Sequence, residues 1–305
     1  MAGNDDIRQK GLSVLIAGAS GLIGSRLTAE LAHKGHTVYR LVRSAPKDAT
    51  EYFWNPGTGE IDSGVLNHID VVVNLSGASI GKIPWTKKYK DLIVRSRLNA
   101  TRTLVRAITE AERPPTALVQ ASAVGFYGDR GDEDLTEDSN RGGGFLADVC
   151  IAWESETSSL PDSVRVAIAR TGLVIAKGGA MAPLRLQTLL GAAGPVGSGT
   201  QWWPWISLHD EVRALVYMVE NPLMKGAYNL TAPTPVASAE VTKELARQMG
   251  RPHWLGLPTI AITTLMGEAG RELLLSSQKV HPTRLEQAGF TFDDTTIDSA
   301  IARII

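Results

Sequence analysis

The sequence predicts an α/β fold, a doubly wound parallel sheet with a smaller, partly helical C-terminal domain. Three observations carry this. An apolar run at 12–17 leads into Gly18-Ala-Ser-Gly21-Leu-Ile-Gly24, followed by a helical pattern at 22–34 and a second apolar run at 37–42. Apolar strands and helical patterns then alternate through the first half of the chain, as they do when parallel strands are joined by helical crossovers. After Gly172 the alternation gives way to glycine-rich loops and short helices.

Each element follows from local pattern. In the opening turn, one glycine lets the chain bend sharply. A second lets backbone N–H groups approach a pyrophosphate, and a third lets the helix pack close to the strand. The helix N-terminus then faces the phosphates with its partial positive charge. A polar loop follows residue 42. Residues 70–75 centre on the apolar run Val71-Val-Val73, the mark of a strand buried on both faces. Residues 89–110 place Leu92, Leu98, Leu104 and Ile108 on a recurrent face and stop before Pro114-Pro115. A strand at 117–121, an acidic loop at 129–139, a helix at 147–158 and a strand at 164–168 come next. Beyond them, 177–179 and 191–199 are glycine-rich loops around a helix at 183–190. Residues 205–221 read as a strand end and a helix. Further helices are expected at 239–249, 259–276 and 299–304.

This divides the chain into a mobile tail at 1–11 and a Rossmann-type nucleotide-binding domain at 12–175, with 205–232 returning to it. A second domain is formed by 176–204 and 233–305, with some segments returning to the main sheet. The net charge of -1 gives no electrostatic case for a nucleic-acid partner. Cys150 is the one cysteine, which excludes a disulfide framework or a cysteine metal site within the chain and reads as a small buried hydrophobe. His33, His36, His68, His209, His253 and His281 have no metal-ligand spacing, so no metal is expected. No apolar run approaches the roughly 20 residues that span a bilayer. The polar first ten residues have no secretory h-region. The expected compartment is the cytoplasm, with no membrane partner.

The second strand ends Leu41-Val42-Arg43, with no acid to take a ribose 2′-hydroxyl. An arginine there suits a 2′-phosphate, because the guanidinium presents a fork of donors. NADP is therefore the expected cofactor.

The match is wider than one turn. The chain resembles the extended short-chain dehydrogenase/reductases, and within them the atypical "epimerase family" branch, whose members carry labels such as nucleoside-diphosphate-sugar epimerase or cell-division-inhibitor-like. The resembling stretches run nearly end to end. They include the glycine turn, Asn74-Leu-Ser-Gly77, Arg95-Ser-Arg97, Ser122-Ala-Val-Gly-Phe-Tyr-Gly128, Trp153-Glu154 and Arg170-Thr-Gly172. Gly197-Ser-Gly-Thr-Gln201, Pro204-Trp-Ile206 with Asp210, and Tyr228-Asn-Leu-Thr-Ala-Pro233 continue the match. Ser277-Gln-Lys-Val-His-Pro282 with Gly289-Phe290 resembles that branch's C-terminal domain of unknown function. The resemblance implies bound NADP. By position, Gly18, Ser20, Gly21, Leu22 and Ile23 would hold the pyrophosphate and Arg43 the adenine ribose phosphate. Leu75, Ser76 and Gly77 would pass beside a ribose, Arg97 would approach from the long helix, and Val174 would line the nicotinamide end.

The resemblance also exposes a departure. Enzymes of this kind use a Tyr-x-x-x-Lys pair, in which the lysine lowers the tyrosine's pKa so that it can pass a proton. Aligning Glu154 with the usual helix glutamate puts Leu146 at the tyrosine position and Cys150 at the lysine position. Neither does that chemistry. Ser122 and Tyr127 are the remaining catalytic candidates, Ser122 as a contact to a substrate carbonyl and Tyr127 as an acid, with packing as the alternative for Tyr127. His209-Asp210 invites a triad, but the aspartate of this fold usually fixes the returning segment. Trp202 or Trp203 could face a substrate, with packing as the alternative, above all for Trp205. The acidic loop lacks the order of an EF-hand. Two functions stay open: an NADP(H)-dependent oxidoreductase or nucleotide-sugar-epimerase-like enzyme on an unidentified small molecule, and a non-catalytic NADP(H)-binding sensor or partner-binding protein. By analogy, the helices at 89–110 and 147–158 would pair two subunits in a homodimer.

Overall fold

β1 (Ser13–Ala17) buries all but its first residue. Val14 and Ile16 join one core and Leu15 and Ala17 another, the two-sided burial of an inner parallel strand. The computed structural model describes residues 11–305, so the expected tail at 1–11 lies, apart from Gly11, outside the described residues. From β1 the chain runs through α1 (Leu22–His33), β2 (Thr37–Val42), β3 (Glu51–Asn55), β4 (Glu60–Ile61) and β5 (Val71–Asn74) to the long α2 (Lys87–Glu110). Next come β6 (Ala117–Ala123), β7 (Asp134–Leu135), α3 (Phe145–Ser155), β8 (Arg165–Thr171) and β9 (Leu173–Ile175). α4 (Met181–Leu189), β10 (Trp202–Trp203), β11 (Trp205–Ser207), α5 (Leu208–Glu220) and β12 (Gly226–Leu230) follow. The last elements are β13 (Val236–Ala237), α6 (Ser238–Gln248), α7 (Thr259–Gly270), β14 (Lys279–Val280), α8 (Thr283–Gln287) and α9 (Ile297–Ala302).

One eight-stranded sheet has the order β12-β8-β6-β5-β1-β2-β3-β4. Its pairs are parallel except β3 with β4. The strand order reverses at β1, with β2 on one side and β5 on the other. That reversal opens a crevice at the carboxyl ends of β1 and β5, where doubly wound sheets bind ligands. α1 and α5 cover one face, with Leu27, Leu31 and Leu215 against Val14, Ile16 and Val73. α2 covers the other, with Ala100, Leu104 and Ile108 against Leu15, Val72 and Leu118. Met181, Trp203, Trp205, Val241, Leu245, Ile262 and Ile301 form a separate core for the C-terminal part. Leu285 and Phe290 pack into the main-sheet core instead. No helix among the described residues is long and apolar enough to cross a membrane.

Several expected boundaries move, each for a local reason. The polar loop after residue 42 contains β3, β4 and a 3-10 turn, Ser63–His68. β3 has polar ends and one deeply buried residue, Trp54, so no apolar run announces it. β8 extends past 168 to Thr171 because Arg170, which breaks the apolar pattern, is buried in an ion pair. The acidic loop holds β7, whose Leu135 is buried and which pairs with β14. The helix expected at 259–276 breaks at Gly267 (φ 58°, ψ -130°) and ends in a π turn, Arg271–Leu275. α3 runs over Phe145–Ser155 rather than 147–158, and α9 over Ile297–Ala302 rather than 299–304.

Candidate functional site

The site is built where α1 leaves β1. Gly18 turns with φ +87°, and a Cβ there would lie 2.8 Å from the Leu75 carbonyl. Gly24 packs on the turn itself, and its Cβ would lie 2.2 Å from the Gly18 oxygen. The helix therefore starts hard against β1 and β5. Its N-cap is Gly21, with no capping side chain, so the first-turn N–H groups are left for another acceptor. Ser20, Gly21 and Leu22 are exposed and Ile23 is half-buried. An uncapped N-terminus of this kind attracts phosphate.

Leu75, Ser76 and Gly77 form the opposite lip. The Leu75 N–H donates to the Ala17 carbonyl at 2.8 Å, and the Ser76 N–H to Asn74 Oδ1 at 3.1 Å. Buried Asn74 in turn donates to Thr101 and Gln120, which fixes the lip from below. Arg97 reaches over from α2, so close that a Cβ on Gly77 would lie 3.1 Å from its guanidinium carbon. Its Nη1 donates to the Ala78 and Ile93 carbonyls, and its guanidinium lies 5.0 Å from the Trp153 ring centre. No described carboxylate pairs with it, and burial holds its pKa below the ordinary arginine value. Arg43, directly after β2, is exposed and bonds no described residue, whereas nearby Arg40 is held by Asp48. Val174, in β9, pairs with Ile206 of β11. The glycine turn, Arg43, the Leu75 lip and Arg97 thus gather at the carboxyl edge of β1, β2 and β5. Val174 follows β8 at the same edge.

The far wall is a closed hydrogen-bond network. The Ser122 hydroxyl donates to Glu154 Oε1 at 2.6 Å. Arg170 holds the same carboxylate with two bonds, of 2.9 and 2.8 Å. Burial works against the Arg170 charge, and the Glu154 pair more than offsets it, leaving its pKa above the ordinary arginine value. The Tyr127 hydroxyl donates to Asn229 at 2.7 Å and accepts from Arg170 at 3.1 Å. Tyr127 is fully buried, and burial raises its phenol above the ordinary value. Leu146 and Cys150 line this wall from α3: a Cβ on Gly125 would lie 3.3 Å from Leu146 Cβ and 3.7 Å from Cys150 Sγ. Burial pushes the Cys150 thiol up to about 11, so it stays neutral.

The remaining candidates have structural partners. Trp203 and Trp205 are buried and donate to the Leu274 and Thr234 carbonyls, while Trp202 donates to Asp132. In the acidic loop, Asp134 pairs with Lys279 and His281, and Asp138 pairs with Arg284. His209, Asp210 and Asp293 bring three potential donor atoms within 4.8 Å, a grouping that sequence spacing hides. The Arg213 guanidinium already sits against both aspartates. Asp210 also accepts the backbone N–H groups of Asp293 and Asp294, so it staples the C-terminal segment.

The model of the NAD dependent epimerase/dehydratase family matches residues 14–231. The chain belongs to that family. A second model, a domain of unknown function (DUF1731), matches residues 257–304. An epimerase family protein of Mycobacterium tuberculosis is 43% identical over 290 residues, covering 94% of this chain and 96% of the relative. The epimerase family protein YfhF of Bacillus subtilis is 35% identical over 301 residues, covering 96% and 98%. The crystal structure of human epimerase family protein SDR39U1 (isoform 2) with NADPH has a TM-score of 0.88 at 30% identity, covering 96% of this chain and 99% of that one.

Within this family member, three groups stand out that local pattern does not reveal. Glu272 accepts the N–H groups of Phe145 and Leu146. Glu268 pairs with Lys90 at 2.7 Å. Glu211 is fully buried beside Thr171. All three depend on contacts between distant segments, and no spacing rule encodes them.

Proposed function

We propose that the chain is an NADP(H)-binding oxidoreductase of the epimerase type, acting on an unidentified small molecule without the Tyr-x-x-x-Lys pair. One observation carries the binding half: an uncapped helix N-terminus faces the crevice between β1 and β5, flanked by Arg43 and Arg97, two cations with no described carboxylate partner. The residues fit the cofactor. The Gly18 turn leaves room for a pyrophosphate, Arg43 suits a 2′-phosphate, and Arg97 suits a ribose or phosphate oxygen from above. Bound there, a nicotinamide supplies or accepts a hydride. The chain's own part is to orient it. Leu146 carries no proton, the Cys150 thiol stays neutral, and the Tyr127 hydroxyl is engaged in the core. The proton that accompanies hydride transfer therefore comes from the substrate or from water.

The same features favour a second reading, a non-catalytic NADP(H) sensor, because Leu146 and Cys150 remove the usual proton route. A panel of aldehydes, ketones and nucleotide sugars, followed by NADPH consumption and by epimer analysis, separates the two. Turnover with one class supports the enzyme. Tight NADPH binding with no turnover leaves the sensor, and no binding of either NADPH or NADH defeats both.

A further inference from the structure

Glu211 lies in the first turn of α5, on the helical layer that α5 shares with α1 beneath the end of β8. Its carboxyl is fully buried. Oε1 accepts a hydrogen bond from the Thr171 hydroxyl at 2.8 Å, and Oε2 has no partner among the described residues. The Thr231 hydroxyl is also buried with no partner among the described residues. Thr231 follows Leu230, which pairs with Thr171 across β12 and β8, and its methyl lies 3.1 Å from where a Cβ on Gly172 would be. Under-satisfied polar atoms thus flank the last residue of β8, where the chain enters Gly172-Leu-Val174.

Among the described residues, no cation answers this acid. The elements packed on α5 are α1, β6, β8, β9 and β11, with the 290–294 segment alongside. On α1, Arg26 and His33 are exposed, and Lys34, just after it, is paired with Glu220. On β8, Arg165 donates to the Met218 and Met224 carbonyls, and Arg170 faces Glu154. β6, β9 and β11 carry no ionisable group. On α5 itself, Arg213 and His209 face Asp210 and Asp293. Asp294 is held by Arg303. A carboxylate at 211 would have one donor and no counter-charge, the costliest way to bury an acid, whereas the neutral acid escapes most of that cost.

We propose that Glu211 is a positioning residue: held as an un-ionised acid beneath Thr171, it fixes the Thr171–Val174 segment at the nicotinamide end of the site, and loss of its proton releases that segment. This rests on the NADP(H) reading above. Burial pushes the carboxyl up to about 8, opposed only by the Thr171 hydrogen bond. The folded chain therefore holds this proton more tightly than the unfolded one. The stability it contributes is full below the ordinary carboxyl value of 4.5 and is lost as pH rises to about 8. Cofactor affinity falls only where the folded form ionises, so the competent fraction drops to roughly a tenth one pH unit above that point.

The test uses the full chain as wild type, Glu211→Gln and Glu211→Met. Thermal midpoints are measured from pH 5 to 9, and NADPH dissociation constants at pH 7 and 9. The wild-type midpoint should fall between pH 5 and 8 and level off above, and both variants should lose that slope. Wild-type affinity should weaken roughly tenfold from pH 7 to 9, while Glu211→Gln, which keeps the shape without the charge, should stay flat. Equal slopes in wild type and variants overturn the proposal. If NADPH binds at no pH, the cofactor reading fails, and the midpoint comparison still decides where the proton sits. If neither variant folds, infrared titration of the wild type decides: a buried carboxyl that is already ionised at pH 6 overturns the proposal.

Discussion

The carboxylate of Glu272 accepts the backbone N–H of Leu146 at 2.7 Å, and its other oxygen accepts that of Phe145 at the same distance. The cap of α3 is thus supplied from 126 residues downstream, because Gly144 at its N-cap has no side chain to offer. Glu272→Ala leaves those N–H groups in a half-buried setting without acceptors. It should cost about 0.5–2 kcal/mol in urea unfolding, the usual range for a lost helix cap. Glu272→Gln should recover about half. Unchanged midpoints for both variants would mean that water replaces the cap at no cost.

Gly24→Ala sets two effects against each other. In an exposed helix interior, alanine gains up to about 1 kcal/mol over glycine. Here the new Cβ would meet the Gly18 carbonyl oxygen at 2.2 Å, and that atom belongs to backbone pressed against Leu75. The clash should win. The variant should be destabilised and its NADPH affinity should drop by more than tenfold, read by calorimetry. A stabilised variant with native affinity would show that the turn yields.

Arg43→Ala removes an exposed cation that the fold itself does not use. Stability should stay unchanged. NADPH affinity should fall about tenfold or more, the scale of one lost charge-assisted hydrogen bond, while NADH affinity holds. Equal losses for both dinucleotides would sink the 2′-phosphate assignment.

Arg170→Met tests the far wall. It leaves Glu154, with a side chain only 12% exposed, without its counter-charge. Breaking one side of a buried pair costs about 3–5 kcal/mol, so the thermal midpoint should drop by several degrees. Tyr127→Phe should cost about 1 kcal/mol through its bond to Asn229. Any NADPH consumption found by screening should survive that change. Its selective loss at native stability would return Tyr127 to the chemistry.

The legible part of this molecule is the part written in neighbouring residues. The run from Leu12 to Gly24 declares its strand, turn and helix because every constraint on it is local. The place of Arg43 is legible for the same reason, since β2 ends at Val42. β3 is not, because one buried tryptophan between polar ends carries no period. Asn229 and Glu272 are hidden more deeply: their partners, Tyr127 and the α3 amides, lie more than 100 residues away. That Leu146 and Cys150 cannot pass a proton as a tyrosine and lysine would is readable from their side chains alone. The clamp of Arg170 on Glu154, with Ser122 attached, needed the folded chain.

β14 lies beside β7, pairing Val280 with Leu135. Gln278 donates to the Val124 and Gly128 carbonyls, and Asn229 donates to the His281 carbonyl. Residues 278–281 therefore close a seam against Leu135, the Val124–Gly128 turn and Asn229. A fragment ending near residue 256 would match the larger family model in full and still open that seam, baring Leu135 and stranding Asn229. The two matched segments are stretches of sequence laid end to end, but in the fold they share this seam.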